Sequence, residues 1–336
     1  MRRAIITGTG RYLPPRLVTN EDLTQWMDTS DEWIQKRTGI EQRYWVPEEG
    51  GVGASDLGYE ASKIALERAG WKPDDIDMII FATLSPDLNF PGSGCLLQNL
   101  LGLDSTPALD IRQQCTGFLY GIATADAYIR SGMADRILFV GAEVHSTGLD
   151  ISTRGRDVTV IFGDGAGAVC LEAMDADEPV GVLASSLHAN GKLAESLMVE
   201  APASRLNPRI TSEMMDDARH FPVMNGKLIF KEAVKKLPEV TMSVLKKAGL
   251  SVEDIDLFIP HQANLRINQM FQHTMKIPEE KVFHNIQRYG NTTAATIPIA
   301  LDEALEMKLI GEKGSNALFL GLGAGVTWGA VLYRFP

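Results

Sequence analysis

Short apolar runs and longer stretches with helical spacing alternate along the 336-residue chain. Residues 76–83 and 137–142 are short runs rich in aliphatic and aromatic side chains, which is typical of buried strands. Residues 55–69 and 94–101 instead have the spacing of helices, and Gly70 provides a stop signal after the first of them. Helix and strand alternate throughout, so the pattern predicts an α/β fold.

Two further stretches have local signals. Thr19 or Asn20 is suited to cap one short helix and Ser30 another, so residues 20–37 are predicted to be helical segments. Residues 158–171 contain several glycines and are predicted to form glycine-broken strand.

The second half of the chain repeats the first. The matching pairs are, in chain order, residues 69–80 with 248–259, 110–111 with 285–286, and 165–171 with 326–332. Their shared order indicates duplication of one α/β unit, because chance matches would not keep the same order. The sequence therefore predicts an N-terminal half over residues 1–175 and a C-terminal half over residues 176–336.

Cys115 lies where a short apolar strand meets a helical stretch. Backbone N–H groups and the helix dipole favour negative charge there, which predicts a thiol that loses its proton easily and acts as a nucleophile. The alternative is an ordinary buried cysteine. The same alternative, simple packing, is favoured for Cys95 and Cys170.

The repeat brings two more side chains toward Cys115. His261 follows an apolar strand, and Asn291 is predicted to be the counterpart of Cys115 to within a residue or two. Functional groups collect at strand ends in α/β sheets, so the three are expected to face one centre. Taken singly, His261 is as well explained by local hydrogen bonds and Asn291 by a helix cap. Together, cysteine, histidine and asparagine indicate covalent acyl chemistry.

Backbone groups are expected to complete this centre. Gly321, Gly323 and Gly325 allow a backbone N–H to approach a developing oxyanion closely. The remaining histidines have no spacing that suggests a metal site; they are His145, His188, His220, His273 and His284.

Composition excludes several classes of protein. The net charge of -11 argues against nucleic acid as the main partner. No window approaches the roughly 18 uninterrupted apolar residues of a membrane span, and three cysteines do not make a disulfide framework. These features predict a cytoplasmic protein. Lys227, Lys231 and Lys235 form one stripe on a predicted helix, which is either a solvated face or a docking site for an acidic partner.

Several longer motifs resemble one family. They are Thr29-Ser-Asp-Glu-Trp-Ile with Arg37-Thr-Gly-Ile, Phe162-Gly-Asp-Gly-Ala-Gly, Pro260-His-Gln-Ala-Asn-Leu-Arg and Gly290-Asn-Thr. Nearly end to end, the chain is similar to the β-ketoacyl-acyl carrier protein synthase III family of the thiolase superfamily. The resemblance implies a five-layered α-β-α-β-α fold of two similar halves, and a homodimer.

The resemblance also implies a reaction. Cys115 would take an acyl group from acyl-CoA, and His261 and Asn291 would stabilise the enolate formed when malonyl-acyl carrier protein loses CO2. Attack of the enolate on the acyl-cysteine gives 3-oxoacyl-acyl carrier protein and starts fatty acid biosynthesis. The backbone N–H groups of Cys115 and Gly325 would form an oxyanion hole. No cofactor is implied beyond the CoA thioester substrate.

The remaining site residues are carried over by the resemblance alone. It implies that Phe90 borders the acyl pocket across the dimer. The implied CoA-binding residues are Thr29, Trp33, Arg37 and Arg154, and the implied carrier-protein contacts are Gln262, Ala263, Asn264, Leu265 and Arg266, with Lys227, Lys231 and Lys235 facing the same acidic partner.

Departures from the family pattern leave alternatives open. Tyr289 stands where the family often has histidine, and Ala324 interrupts what is often a run of glycines. Either Arg154 or Arg156 takes the CoA-facing role. Acetyl is the default starter, and medium or branched chains are the alternatives.

Three other functions compete with the synthase. The same fold condenses two acyl-CoAs, or transfers acyl groups to another acceptor, in specialised lipid or polyketide biosynthesis. The order cysteine, histidine, asparagine also occurs in papain-like hydrolases, whose local cysteine signature this chain lacks. A non-catalytic module that binds carrier protein is the third.

Overall fold

The computed structural model describes all 336 residues, which form thirteen strands and eleven helices. The strands are β1 (Arg2–Tyr12), β2 (Arg16–Thr19), β3 (Gln42–Trp45), β4 (Met78–Ala82), β5 (Ala108–Ile111), β6 (Arg136–Glu143), β7 (Gly165–Asp175), β8 (Gly181–Ala189), β9 (Leu197–Met198), β10 (Val223–Met224), β11 (Leu257–Pro260), β12 (Asn316–Gly323) and β13 (Thr327–Arg334). The helices are α1 (Asn20–Leu23), α2 (Asp31–Thr38), α3 (Ala54–Ala69), α4 (Ser93–Leu100), α5 (Gly117–Ser131), α6 (Arg156–Thr159), α7 (Ser212–Asp216), α8 (Gly226–Ala248), α9 (Leu265–Met275), α10 (Ile286–Tyr289) and α11 (Thr296–Glu306).

Two sheets with the same strand order form the frame. The first runs β1-β7-β6-β4-β5 and the second β8-β13-β12-β11. In the first sheet β4 pairs in parallel with β5, and in the second a parallel bridge from Phe258 to Val282 stands in the equivalent place. The duplicated α/β unit predicted from the sequence is thus present in the topology. We propose the division at residue 175, where β7 ends.

The two sheets and the helices that pack on them form five layers. Helices α5 and α11 lie between the sheets, and the largest core cluster combines their apolar faces with the inner faces of both sheets. Helix α3 covers the outer face of the first sheet, and α8 and α9 cover the outer face of the second. The predicted α-β-α-β-α architecture is confirmed.

Local signals explain most of the element boundaries. The Thr19 and Ser30 side chains accept hydrogen bonds from first-turn N–H groups of α1 and α2, each worth about 1 kcal/mol. On the outer face, a Cβ at Gly8 would lie 2.3 Å from the Ala65 carbonyl oxygen, so glycine there lets α3 pack directly on β1.

One predicted element is wrong in part. The stretch 158–171 is not continuous strand, because its beginning belongs to α6 and strand β7 starts only at Gly165. The Thr159 hydroxyl donates to the Asp150 carbonyl oxygen at 2.7 Å, which holds this part of the chain in a turn.

A repeated turn positions the chemistry. Gln114 and Thr293, 179 residues apart, both adopt left-handed backbone angles (φ 46° and 49°) just before α5 and α11. This conformation is uncommon outside glycine, and its recurrence marks equivalent positions in the two halves. The counterpart of Cys115 is therefore Ala294, and the predicted match with Asn291 is wrong. The cause is α10, which lengthens the second half between the strand position and the turn.

Candidate active site

Cys115 is buried in the short turn between Gln114 and α5. The end of β12 passes directly over it: a Cβ at Gly323 would lie 2.4 Å from Cys115 Cβ and 2.9 Å from its Sγ. Real Cβ atoms are not found this close to other heavy atoms, so this position requires glycine for close approach.

The environment of the Cys115 thiol opposes ionisation. Burial, together with the charge of Glu143, raises its pKa to about 12, although backbone N–H groups of Ala324 and Cys115 act in the other direction. The predicted easily ionised thiol is therefore wrong, because desolvation outweighs the helix start.

The backbone N–H of Ala324 hydrogen-bonds to the Cys115 sulfur, and we propose that it takes the place predicted for the Gly325 N–H in the oxyanion hole. Gly325, next along the chain, lines the neighbouring cavity. The glycine-rich sequence directed the prediction to Gly325, but any residue except proline supplies a backbone N–H.

His261 follows β11 and is 4% exposed. Its Nδ1 lies 2.6 Å from the Thr296 hydroxyl, while Nε2 is buried without a hydrogen-bond partner. Burial lowers the pKa of His261 to about 3, so the ring is neutral at physiological pH. A neutral imidazole with one free nitrogen is suited to bind a polar group of a substrate.

Asn291 is held by the same turn that supports His261. Its Oδ1 accepts a hydrogen bond from the Thr293 N–H at 2.8 Å, which leaves the amide NH2 group as the free end. The Thr293 carbonyl oxygen accepts from the Thr296 hydroxyl at 2.9 Å. Thr293 and Thr296 therefore connect Asn291 to His261. Neither threonine was predicted as a site residue, since short-range hydrogen bonds of this kind leave no spacing signal in the sequence.

The three predicted side chains meet between the halves of the chain. A Cβ at Gly321 would lie 3.0 Å from His261 Cβ and 3.6 Å from the Cys115 carbonyl oxygen, so both residues border the same point of β12. The turn that holds Asn291 packs against the turn of Cys115. The structure thus brings Cys115, His261 and Asn291 to one place.

A cavity of about 470 Å³ opens beside Cys115, within the ~300–1,000 Å³ range of ligand pockets. Much of its wall is apolar, including Leu149, Phe162 and Met198. Phe90 is not part of this wall; its side chain is 82% exposed on the loop after β4. A contact of Phe90 with an acyl pocket would therefore have to be made in a second copy of the chain.

A separate cluster surrounds Trp33 on α2. The Arg37 and Arg156 guanidinium groups lie 4.2 Å and 4.9 Å from the Trp33 ring centroid. Arg154 instead donates to Asp150 at 2.6 Å. The structure therefore brings Arg156 into this cluster and not Arg154. Nearby in the chain, the Thr29 hydroxyl is buried without a partner.

The segment after His261 is only partly exposed. Gln262 is 1% exposed and donates to the carbonyl oxygens of Pro260 and Phe283, so its predicted contact with carrier protein is wrong: it is a buried clamp. Asn264 caps α9 and donates to the Arg37 carbonyl oxygen. Ala263 and Leu265 are half-buried, and Arg266 is exposed.

The lysine stripe lies on the outer face of α8. Lys227, Lys231 and Lys235 are exposed, and none of them forms an ion pair within the chain. Lys236 beside them differs, since it pairs with Glu239 and lies over the Trp328 ring. The stripe therefore presents three uncompensated positive charges.

The structure has neither a candidate metal site nor a candidate membrane-spanning helix. No group of three or more histidine, cysteine, aspartate or glutamate side chains is arranged to hold a metal ion. None of the helices has both the length and the apolar character that crossing a bilayer requires.

The duplicated five-layered fold, with cysteine, histidine and asparagine where its halves meet, defines a thiolase-fold acyltransferase. Family models for 3-oxoacyl-[acyl-carrier-protein] synthase III and for its C-terminal part match residues 109–191 and 245–335. The chain belongs to the 3-oxoacyl-[acyl-carrier-protein] synthase III family.

Full-length relatives support this assignment. The chain is 44% identical over 336 residues to a β-ketoacyl-[acyl-carrier-protein] synthase III of Natranaerobius thermophilus, covering 100% of both chains. It is 43% identical over 330 residues to one of Caldanaerobacter subterraneus, covering 98% of this chain and 97% of the relative. The crystal structure of the Aquifex aeolicus 3-oxoacyl-[acyl-carrier-protein] synthase III is 41% identical with a TM-score of 0.88, and the match covers 99% of this chain and 100% of that one.

Proposed function

We propose that the protein condenses an acyl-CoA starter with malonyl-acyl carrier protein and so initiates fatty acid biosynthesis. The observation that carries this proposal is the paired arrangement of neutral His261, with its free Nε2, and Asn291, with its free amide, beside buried Cys115. Two neutral donors suit an oxyanion that develops only as CO2 leaves.

In the first half-reaction the Cys115 sulfur attacks the thioester carbonyl of acyl-CoA. The N–H groups of Cys115 and Ala324 are the donors nearest to the oxyanion that forms. The bond to the CoA sulfur then breaks, and the thiol proton leaves with that sulfur as free CoA. The acyl chain remains on Cys115 and extends into the cavity of about 470 Å³.

In the second half-reaction His261 and Asn291 bind the thioester oxygen of malonyl-acyl carrier protein. The C–C bond to the carboxylate breaks and CO2 leaves. The electron pair of that bond forms the enolate. The enolate carbon attacks the acyl-Cys115 carbonyl, a C–C bond forms, and the Cys115 thiolate departs and takes a proton from solvent. The products are 3-oxoacyl-acyl carrier protein and the free enzyme.

Surface residues are proposed to hold the carriers. Arg37 and Arg156 flank Trp33, and the flat ring and two cations are suited to an adenine ring and phosphates, so Arg156 replaces Arg154 in this role. Thr29 belongs to the same region. For the acidic carrier protein, exposed Arg266 and the three stripe lysines supply complementary charge.

We also propose a cytoplasmic homodimer. Strand β5 is one of the two edge strands of the first sheet, and a second copy adding to it would extend the sheet. The 82% exposed Phe90 lies on the same side, since its loop joins β4 to α4 and α4 packs on β5. Burial of this ring against the partner's acyl cavity would remove an exposed aromatic side chain from water.

The test is a two-stage assay. Incubation with acyl-CoAs should add one acyl mass to the wild-type protein and none to Cys115→Ala. Addition of malonyl-acyl carrier protein should then release CO2 and form 3-oxoacyl product, and Asn291→Ala should block this second stage while keeping the adduct. Absence of the adduct, or an adduct that never condenses with malonyl-acyl carrier protein, would overturn the proposal.

A further inference from the structure

Two imidazole rings line the cavity beside Cys115 and have no part in the proposed reaction: His145 and His220. His145 is 7% exposed and rigidly held. Its backbone N–H donates to Asp164 Oδ1 at 2.7 Å, its Nε2 lies 2.8 Å from the Thr293 hydroxyl, and its ring packs on Phe162 with centroids 4.6 Å apart. A buried polar ring in the wall of an otherwise largely apolar cavity indicates a polar feature in the ligand.

The second nitrogen of His145 is the group that a ligand would meet. Nδ1 forms no hydrogen bond within the chain, since only Nε2 has a partner. Burial lowers the pKa of His145 to about 3, so the ring is neutral. Depending on which way the Thr293 hydroxyl points, Nδ1 is a donor or an acceptor. A hydroxyl group satisfies both cases, because it donates and accepts, whereas a carboxylate would find no compensating charge on this ring.

His220 adds an independent observation on the same cavity. Its Nδ1 is buried without a partner, and its ring packs on Phe221 with centroids 4.0 Å apart. The unpartnered Nδ1 of His145 would be left facing methylene groups if the cavity held a plain alkyl chain, and His220 adds a second polar ring to the same wall. Leaving buried polar groups unsatisfied is unfavourable, so the cavity discriminates against such a chain.

We propose that the preferred starter is an acyl-CoA whose chain carries a hydroxyl group, and that His145 forms a hydrogen bond with this group. The inference rests on the proposed function, because it names the substrate class of that reaction. It makes His145 a specificity-determining residue and assigns the starter to products of reduction or hydration at a chain carbon.

The test measures how fast Cys115 is acylated, by intact mass, before any malonyl substrate is added. This stage does not use Asn291, so an indirect effect of His145 through Thr293 is avoided. The matched pairs are 3-hydroxybutyryl-CoA with butyryl-CoA and 4-hydroxyvaleryl-CoA with valeryl-CoA, and succinyl-CoA is the charged comparison. In at least one pair the hydroxyacyl-CoA should load about 5- to 10-fold faster in the wild type, the effect of one hydrogen bond.

His145→Leu should abolish this preference, while Met198→Leu, an apolar exchange in the same wall, should keep it. Equal loading within every pair in the wild type, or an unchanged ratio in His145→Leu, would overturn the inference, and so would fastest loading of succinyl-CoA. Failure of every acyl-CoA to form an adduct would instead overturn the proposed function, so the two failures are distinguishable.

Discussion

Removal of the buried Thr296 hydroxyl should slow the second half-reaction and leave the first nearly unchanged. Thr296 is 2% exposed, and its Oγ1 lies 2.9 Å from the Thr293 carbonyl oxygen and 2.6 Å from His261 Nδ1. Both neighbours are able to accept, but the hydroxyl has one proton. In the structure it donates to the Thr293 carbonyl oxygen, which can only accept; we propose that in the substrate complex it turns to Nδ1, so that the single ring proton of neutral His261 is on Nε2, where it is available to an enolate oxygen.

Thr296→Val removes the hydroxyl that determines which nitrogen of His261 carries the proton, and it keeps the volume of the side chain. A buried group that loses its partner costs about 1–3 kcal/mol, which corresponds to roughly a 5- to 150-fold slower decarboxylation step. Acylation of Cys115 does not use His261 in the proposed mechanism, so it should change by less than about threefold. Thr296 therefore acts as a positioning residue for the second half-reaction.

The assay follows adduct formation by intact mass and CO2 release from malonyl-acyl carrier protein in the same preparations. Thr296→Ser is the matched control, since it keeps the hydroxyl and should retain most of the CO2 release. Thermal unfolding of each variant checks that the fold is intact. Equal losses in both half-reactions, or full CO2 release by Thr296→Val, would refute this reasoning.

Three further predictions concern the thiol and the CoA site. Gly323→Ala should slow acylation more than about 100-fold in a folded protein, because the new Cβ displaces Cys115; intact mass provides the measurement, and near-normal acylation would contradict it. Alkylation of Cys115 by iodoacetamide should rise about tenfold per pH unit between pH 7 and 9, since a pKa of about 12 leaves the thiolate a minor species that increases with pH. A plateau within this range would show a lower pKa. Arg156→Ala should raise the KM for acyl-CoA about 5- to 10-fold through loss of its contact with Trp33, whereas Arg154→Ala should change it little; the reverse order would restore Arg154 to the CoA site.

The architecture was predictable because it is carried by repeated local patterns. The acidic-apolar run at residues 74–80 returns at residues 253–259, and the strands it predicts, β4 and β11, hold equivalent places in their sheets. The detailed correspondence was not predictable, since the insertion of α10 shifts the register of the repeat. Asn291 was therefore identified for a reason that the structure corrects.

The side chains of the site could be predicted from the sequence, but their pKa values and the backbone groups around them could not. Cys115 and His261 were found at strand ends, but the pKa of each depends on burial that only the folded chain creates. The N–H of Ala324 belongs to the backbone, which has no residue signature. The choice between Arg154 and Arg156 depends on the turn before α6, which directs one toward Asp150 and the other toward Trp33.

The equivalent turns of the two halves set a limit on the number of acyl groups that each chain carries. Ala294 occupies the position that Cys115 has in the other half, and a Cβ at Gly117 would already lie 3.0 Å from Ala294 Cβ. Glycine at position 117 lets the two turns approach each other closely, and only one of them carries a thiol. The equivalent turns therefore differ in chemistry, and the proposed reaction has one acylation site per chain.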